Sequence, residues 1–237
     1  MLGNISLILY VNDMKPDTLI KLANTFYVLA ATEKLPENSK DLSTILKNIE
    51  KLETYQARTK YAEKNLKHLS SGSARITYVT PNKTVIKMAK NDRGIAQNEA
   101  EKKNLSFKCK YLNDVLKCAS NFAWIETDYL DKITEKEFEK MTGIDFDDFG
   151  EAIRYGLKHV ASHSQMKKPK NFDKVSKSDI YKQMQKVADK CDMMPGDIAR
   201  ISSWGTKKGH PVLIDAGLTK KIFDEFYVGS ESSSSSS

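Results

Sequence analysis

Four charged side chains stand in surroundings that would fix a charge rather than only solvate it. Lys87 lies in Val85-Ile86-Lys87, on the second arm of a short β-favouring pair, and Glu99 follows twelve residues later in a helical stretch. Asp197 occurs in Pro195-Gly196-Asp197-Ile198, after a helix and before an irregular serine-bearing stretch. Asp215 ends the apolar run Val212-Leu213-Ile214. Phosphoryl transfer from a nucleotide needs groups of these kinds. A fixed cation holds the α/β-phosphates, and a carboxylate on a helix orients that cation. A second carboxylate takes the acceptor's proton, and a third holds the metal ions that bridge the phosphates. Such catalysis is mainly positioning and electrostatics, so a lysine on a strand and an aspartate at a strand end are suitable supports.

The elements that must carry these residues follow from periodicity. Asp17, behind Pro16, caps a predicted helix over 18–33. A second predicted helix begins near Ser39 or Asp41 and runs towards His68, with Leu42, Ile45, Leu46, Ile49 and Leu52 at helical spacing. Together they form an N-terminal helical hairpin with no visible chemistry. Residues 69–90 change character: short β-favouring runs surround Thr80-Pro81-Asn82-Lys83, which predicts a β-hairpin. A helix over 94–104, a buried strand at Phe122–Ile125, helices near 134–142, 146–164 and 176–192, and a strand in 211–216 complete the order. This is an α+β pattern with the sheet early and the helices later. The ending SESSSSSS is a low-complexity tail with no part in the fold.

Composition narrows the classes. No run of 18 apolar residues exists, which excludes a transmembrane helix, and the start MLGNISLILYVNDMK has neither a basic n-region nor a small-residue cleavage site, so a secretory signal peptide is not expected. Three cysteines (Cys109, Cys118, Cys191) cannot all pair within the chain and fit reduced thiols better than a disulfide scaffold. The net charge is +7, and nine Lys against three Asp concentrate +6 of charge between residues 158 and 190. That segment suits an acidic partner, nucleic acid, or simply water on a solvated helix face. His159 and His163 have metal-gripping i, i+4 spacing, but no glutamate stands between them as the zincin motif requires.

The longer motifs carry a resemblance. Val85-Ile86-Lys87-Met88-Ala89-Lys90-Asn91, Gly94-Ile95-Ala96-Gln97-Asn98-Glu99, Gly196-Asp197-Ile198-Ala199-Arg200 with Ser202-Ser203-Trp204-Gly205, and Pro211-Val212-Leu213-Ile214-Asp215-Ala216-Gly217-Leu218 resemble the text of small protein-kinase-like proteins encoded by large bacteriophages. The resemblance covers residues 69–227. It implies a minimal kinase-like body of small antiparallel sheet plus helical lobe, with ATP and Mg²⁺ as cofactors. The implied parts are 1–68 as a helical N-terminal region, 69–130 as an N-lobe, 131–229 as a reduced helical C-lobe, and 230–237 as a Ser-rich tail. Lys87 resembles the phosphate-binding lysine and Glu99 its ion-pair partner, with Glu101 as the fallback. Gly72 stands in the reduced glycine-rich turn, and Trp124-Ile125-Glu126-Thr127 resembles the strand and hinge where the adenine would hydrogen-bond to backbone. Asp197 matches the catalytic-loop aspartate. Asp215 matches the metal-binding aspartate, 18 residues on, as in typical protein kinases.

Departures from that pattern define the alternative. Ser70-Ser71-Gly72-Ser73 holds one glycine where three are usual. Ser202, with Ser203 equally eligible, stands where a second metal-holding asparagine is expected. Only 22 residues follow Asp215, too few for an activation segment and substrate-binding helices. The resemblance therefore implies either an ATP/Mg-dependent phosphotransferase of bacteriophage origin or a catalytically degenerate descendant. The latter is a virion-associated structural or interaction module that meets phage partners through its helical hairpin. Either would reside in the cytoplasm of an infected bacterial host or on the virion.

Overall fold

In a computed structural model the described residues are 41–157 and 166–228. The expected helix over 18–33, the end of the expected 146–164 helix, both histidines of the i, i+4 pair and the Ser-rich tail lie outside them. The chain divides into two compact units, Met1–Lys67 and His68–Ser237.

In the first unit the sequence pattern after Asp41 forms two helices rather than one. Asp41 accepts hydrogen bonds from Ser43 N (3.3 Å) and Thr44 N (3.0 Å) and starts a helix over Leu42–Lys51 that buries Ile45, Leu46 and Ile49. The expected continuation to His68 is broken at Leu52–Thr54, with neither glycine nor proline there. Thr54 Oγ1 accepts from Ala57 N (3.1 Å) and caps a new helix over Tyr55–Asn65, while Arg58 Nε donates to Leu52 O (2.8 Å). A side chain thus satisfies an orphaned backbone group at each new end, which stabilises the break. Asn48 Nδ2 donates to Tyr61 OH (2.9 Å) and ties the two helices together.

The second unit opens with a five-stranded sheet in the order β1-β2-β3-β5-β4. Its strands are β1 Lys67–Ser71, β2 Arg75–Val79, β3 Thr84–Ala89, β4 Val115–Cys118 and β5 Trp124–Asp128. The Thr80–Lys83 turn joins β2 to β3 antiparallel, and Lys83 takes a left-handed φ of 56° to close it. Antiparallel pairs of β3 with β5 and of β5 with β4 follow. All six residues of β3 are buried, as suits a strand paired on both sides. Alternation puts Val85, Lys87 and Ala89 on one face and Thr84, Ile86 and Met88 on the other.

A helix over Asp92–Asn104 follows β3, capped by Asn91, whose Oδ1 accepts from Gly94 N (3.0 Å). Gly94 lets this helix lie close to the strands: a Cβ there would fall 2.3 Å from Ala74 O. After β5 come helices over Glu135–Thr142, Phe146–Gly156, Phe172–Val175 and Asp179–Cys191 and a short turn of helix at Pro195–Ile198. A two-stranded pair follows, β6 Trp204–Lys207 and β7 His210–Leu213, then a short helix over Lys220–Phe223. Phe138, Phe149 and Trp204 pack as mutually inclined rings in the core of this part, with Phe146 beside both phenylalanines. The architecture is α+β. Among the described residues no helix is long and apolar enough to cross a membrane.

Candidate functional site

Three elements converge on one point. Central strand β3 presents Lys87, the Asp92–Asn104 helix presents one face, and the chain leaving β7 presents Asp215. Lys87 Nζ donates to Glu101 Oε1 and to Ile214 O. Its carboxylate partner is Glu101, fully buried, and not Glu99. The helix explains the correction. Two residues apart means about 200° around the axis, so only one of Glu99 and Glu101 can face the strand. Glu99 is exposed and lines a separate cavity with Lys103 and Glu225.

The same helix face holds Asn98 and Asn104, at three-residue spacing around Glu101. Asn98 Nδ2 donates to Lys87 O (3.2 Å) and Phe122 O (2.9 Å), and Asn104 Nδ2 donates to Ala216 O (2.7 Å). Asp215 is therefore placed by a backbone gripped on both sides, through Ile214 and Ala216. Leu213 N donates to Tyr111 O (2.8 Å) and Ile214 N to Ser203 O (2.8 Å), which fix the strand end from behind.

Arg75, at the start of β2, joins the network. Its Nη1 donates to Glu101 Oε2 (2.5 Å) and Asn98 Oδ1 (3.3 Å), and its Nη2 to Asp215 Oδ1 (2.7 Å). Sequence reasoning missed this residue. Its partners lie 23, 26 and 140 positions away, and no local pattern signals them.

Asp197 approaches from the Pro195–Ile198 turn, held there by Trp204 Nε1, which donates to Ile198 O (2.8 Å). It is buried and pairs with Arg200, whose side chain remains 56% exposed. Burial, and after it the nearby Asp215 charge, push Asp197 up to about 7 from the ordinary 3.8, with Arg200 and Arg75 pulling the other way. Asp215 goes in the opposite direction. Burial would raise it, but Arg75 and Lys87 beside it hold it below the usual carboxylate range. Burial alone would likewise lower Arg75, and Glu101 and Asp215 more than offset that.

Two cavities meet at Lys87 and Asp215. One, about 530 Å³, is walled by the Ser70–Ala74 stretch, Arg75, Asp197, Arg200 and Tyr227. The other, about 410 Å³, has a more apolar wall that includes Leu69, Val85, Tyr129, Leu130 and Ile214. Both volumes lie in the range of small-molecule sites. Gly72 lines the first; Ser202, exposed, lines the second together with Asp215. Glu126 lines neither. It sits opposite Ile86 in the β3–β5 register, on the sheet face away from Lys87, and accepts from Thr84 Oγ1 (2.7 Å). Strand parity turns its side chain away from both cavities, while the contact expected of this segment is through backbone. Its neighbour Thr127, opposite Val85, faces the cavity, as does the segment Asp128–Leu130.

Among the described residues no group of three or more His, Cys, Asp or Glu side chains could hold a metal by itself. Asp215 keeps 40% of its side chain exposed, and only its Oδ1 is engaged by Arg75. Magnesium commonly takes one or two carboxylates and completes its shell with phosphate oxygens and water. The open carboxylate oxygen of Asp215, which lines both cavities, fits that use; Ser202 lines the apolar cavity only.

No protein-family model matches the chain, and no curated protein sequence matches it.

Proposed function

We propose that this chain is a kinase-like protein of bacteriophage type that binds ATP and transfers its terminal phosphoryl group to a hydroxyl acceptor. The supporting observation is the meeting of Lys87, backed by Glu101, with Asp215 at the junction of an apolar and a polar cavity, and with Asp197 in the polar one. The purine suits the apolar cavity, between the Asp128–Leu130 segment and Val85. The phosphates would extend past Lys87 into the polar cavity. Lys87 would hold them through the donor left over from Glu101 and Ile214 O. Asp197 would take the proton of the acceptor hydroxyl, and a carboxylate near 7 is matched to that work at neutral pH. Mg²⁺, when bound through the open oxygen of Asp215, which lines both cavities, would neutralise charge on the phosphate oxygens.

A second reading keeps the fold for binding alone, as a phage structural or interaction module. The ion pair from Arg75 to Asp215 favours it, because the carboxylate expected to hold metal is already compensated by a residue of the chain itself.

A thermal-shift titration with ATP, with and without Mg²⁺, separates the two. On the enzyme reading, 100-fold excess over Kd stabilises by about 2.7 kcal/mol. Lys87→Ala should remove the shift, and Asp215→Asn should remove its Mg²⁺-dependent part. No shift at millimolar ATP in the unaltered chain would overturn the enzyme reading.

A further inference from the structure

The stretch that walls the polar cavity, Ser70–Ala74, is the end of β1 and the turn after it; it holds a single glycine, and the chain re-enters the sheet directly after it at Arg75. A guanidinium carries five N–H donors in a fixed fork. Arg75 uses three of them, two from Nη1 to Glu101 and Asn98 and one from Nη2 to Asp215. The Nε–H and the second Nη2–H have no acceptor among the described residues. Lys87 has a comparable surplus: one donor goes to Glu101, one to Ile214 O, and a third is left. Arg75 and Lys87 project from the same face of adjacent strands, with Thr77 opposite Lys87 and Arg75 opposite Ala89 in the register, and both line the 530 Å³ cavity.

The guanidinium is held in place before any ligand arrives. Its side chain is 10% exposed, and it lies under Gly217, where a Cβ would come within 3.2 Å of Nη2. Glu101 and Asp215 balance the charges of Arg75 and Lys87. What the two cations offer a ligand is therefore directed donors already held in their binding rotamers, not a net positive field.

We infer that Arg75 is a second phosphate-binding residue. With Lys87 it forms a two-cation clamp for a polyphosphate chain, doing with side-chain donors what a glycine-rich loop does with backbone N–H groups. The inference rests on the nucleotide reading above, and it adds that phosphate recognition persists without a divalent ion.

Calorimetric titration of the full chain in EDTA tests it, with ATP, adenosine and inorganic tripolyphosphate as probes. Each hydrogen bond to a charged group corresponds to roughly a 10- to 100-fold change in affinity. Arg75→Gln should therefore weaken ATP and tripolyphosphate by about that factor and leave adenosine unchanged. Arg75→Lys should restore only part, because one ammonium tied to Glu101 cannot replace the fork. Equal weakening of ATP and adenosine would make Arg75 a structural residue, and unchanged ATP binding would remove it from the site; either result overturns the inference. Should Arg75→Gln fail to fold, the Arg75 Nε–H resonance of the ¹⁵N-labelled wild-type chain decides. It should move on titration with tripolyphosphate, and a stationary signal overturns the inference. If wild type binds neither ATP nor adenosine with Mg²⁺ present, the nucleotide reading itself falls. ATP binding that needs Mg²⁺ and ignores Arg75→Gln sinks only the clamp.

Discussion

Asp197 and Asp215 line one cavity, yet their neighbours drive their proton affinities apart. Asp215 has Arg75 and Lys87 beside it; Asp197 is more deeply buried, and its own partner, Arg200, is mostly solvated. The consequence for stability has a definite sign. Asp197 binds its proton more tightly when folded than when unfolded, so between about pH 4 and 7 the native state carries more protons, and stability falls as pH rises through that window. Asp197→Asn should therefore raise the melting temperature more at pH 8 than at pH 5. An equal gain at both would mean that the carboxylate is not held as described. Asp215 contributes the other way, with stability present above its unfolded value and lost in acid, lessened by its exposure to solvent. The two helix glutamates give a second test. Glu101→Ala leaves Lys87 and Arg75 buried beside a missing charge and should cost about 3–5 kcal/mol in urea denaturation. Glu99→Ala, on the exposed side, should stay within about 0.5 kcal/mol. Reversed magnitudes would restore Glu99 as the partner.

The Asp92–Asn104 helix can position Glu101 because Gly94 lets it settle against the start of the sheet. Gly94→Ala places a methyl where Ala74 O and Ala89 Cα already stand, at 2.3 and 2.9 Å, so the helix must retreat. Overpacking of this kind costs roughly 1–3 kcal/mol. The retreat also draws Glu101 from Lys87 and Arg75, so nucleotide affinity should drop along with the urea midpoint. A loss of stability with affinity intact would show that the helix does not set the site. How far the sequence could be read depends on the same geometry. The Thr80–Lys83 turn, the helix after Asn91 and the apolar run before Asp215 each carry a local signal, so Lys87, Asp197 and Asp215 could be placed on elements that do converge. Strands β1 and β4 were not legible, because β1 is exposed along its whole length and β4 has no buried residue, so neither shows apolar alternation. Glu99 was misassigned by the single-residue phase of a helix turn, and the two-residue period of a strand puts the Glu126 side chain on the face away from the site. The motif supplied the neighbourhood and left the phase open. Arg75 and the broken helix at Leu52–Thr54 depend on tertiary or capping contacts that no period encodes.

Within the His68–Ser237 unit the site lies where the sheet meets the helical part, and several contacts besides the Arg75–Asp215 ion pair cross the junction. Lys87 reaches Ile214 O, Asn104 reaches Ala216 O, and Leu112 bridges in parallel to Leu213. Each joins the segment around Asp215 to the sheet or to chain between its strands. Asp197 and Asp215 in turn adjoin the main core, which includes Ile198, Ala199, Trp204, Leu213 and Ala216. A ligand that touches Lys87 on one side and Asp197 and Asp215 on the other should therefore stabilise both sides at once. At 100-fold excess over Kd the linkage of about 2.7 kcal/mol slows exchange roughly 100-fold for amides that exchange through openings breaking the site. Hydrogen-exchange mass spectrometry with saturating ATP and Mg²⁺ should show new protection in peptides from residues 92–104 and from 196–217 together. Protection confined to the sheet and its helix would mean that Lys87 binds phosphate without Asp197 or Asp215, which leaves a nucleotide-binding module and no phosphotransferase. Protection on both sides, lost together in Glu101→Ala, would show that one ion-pair network joins the halves of the site.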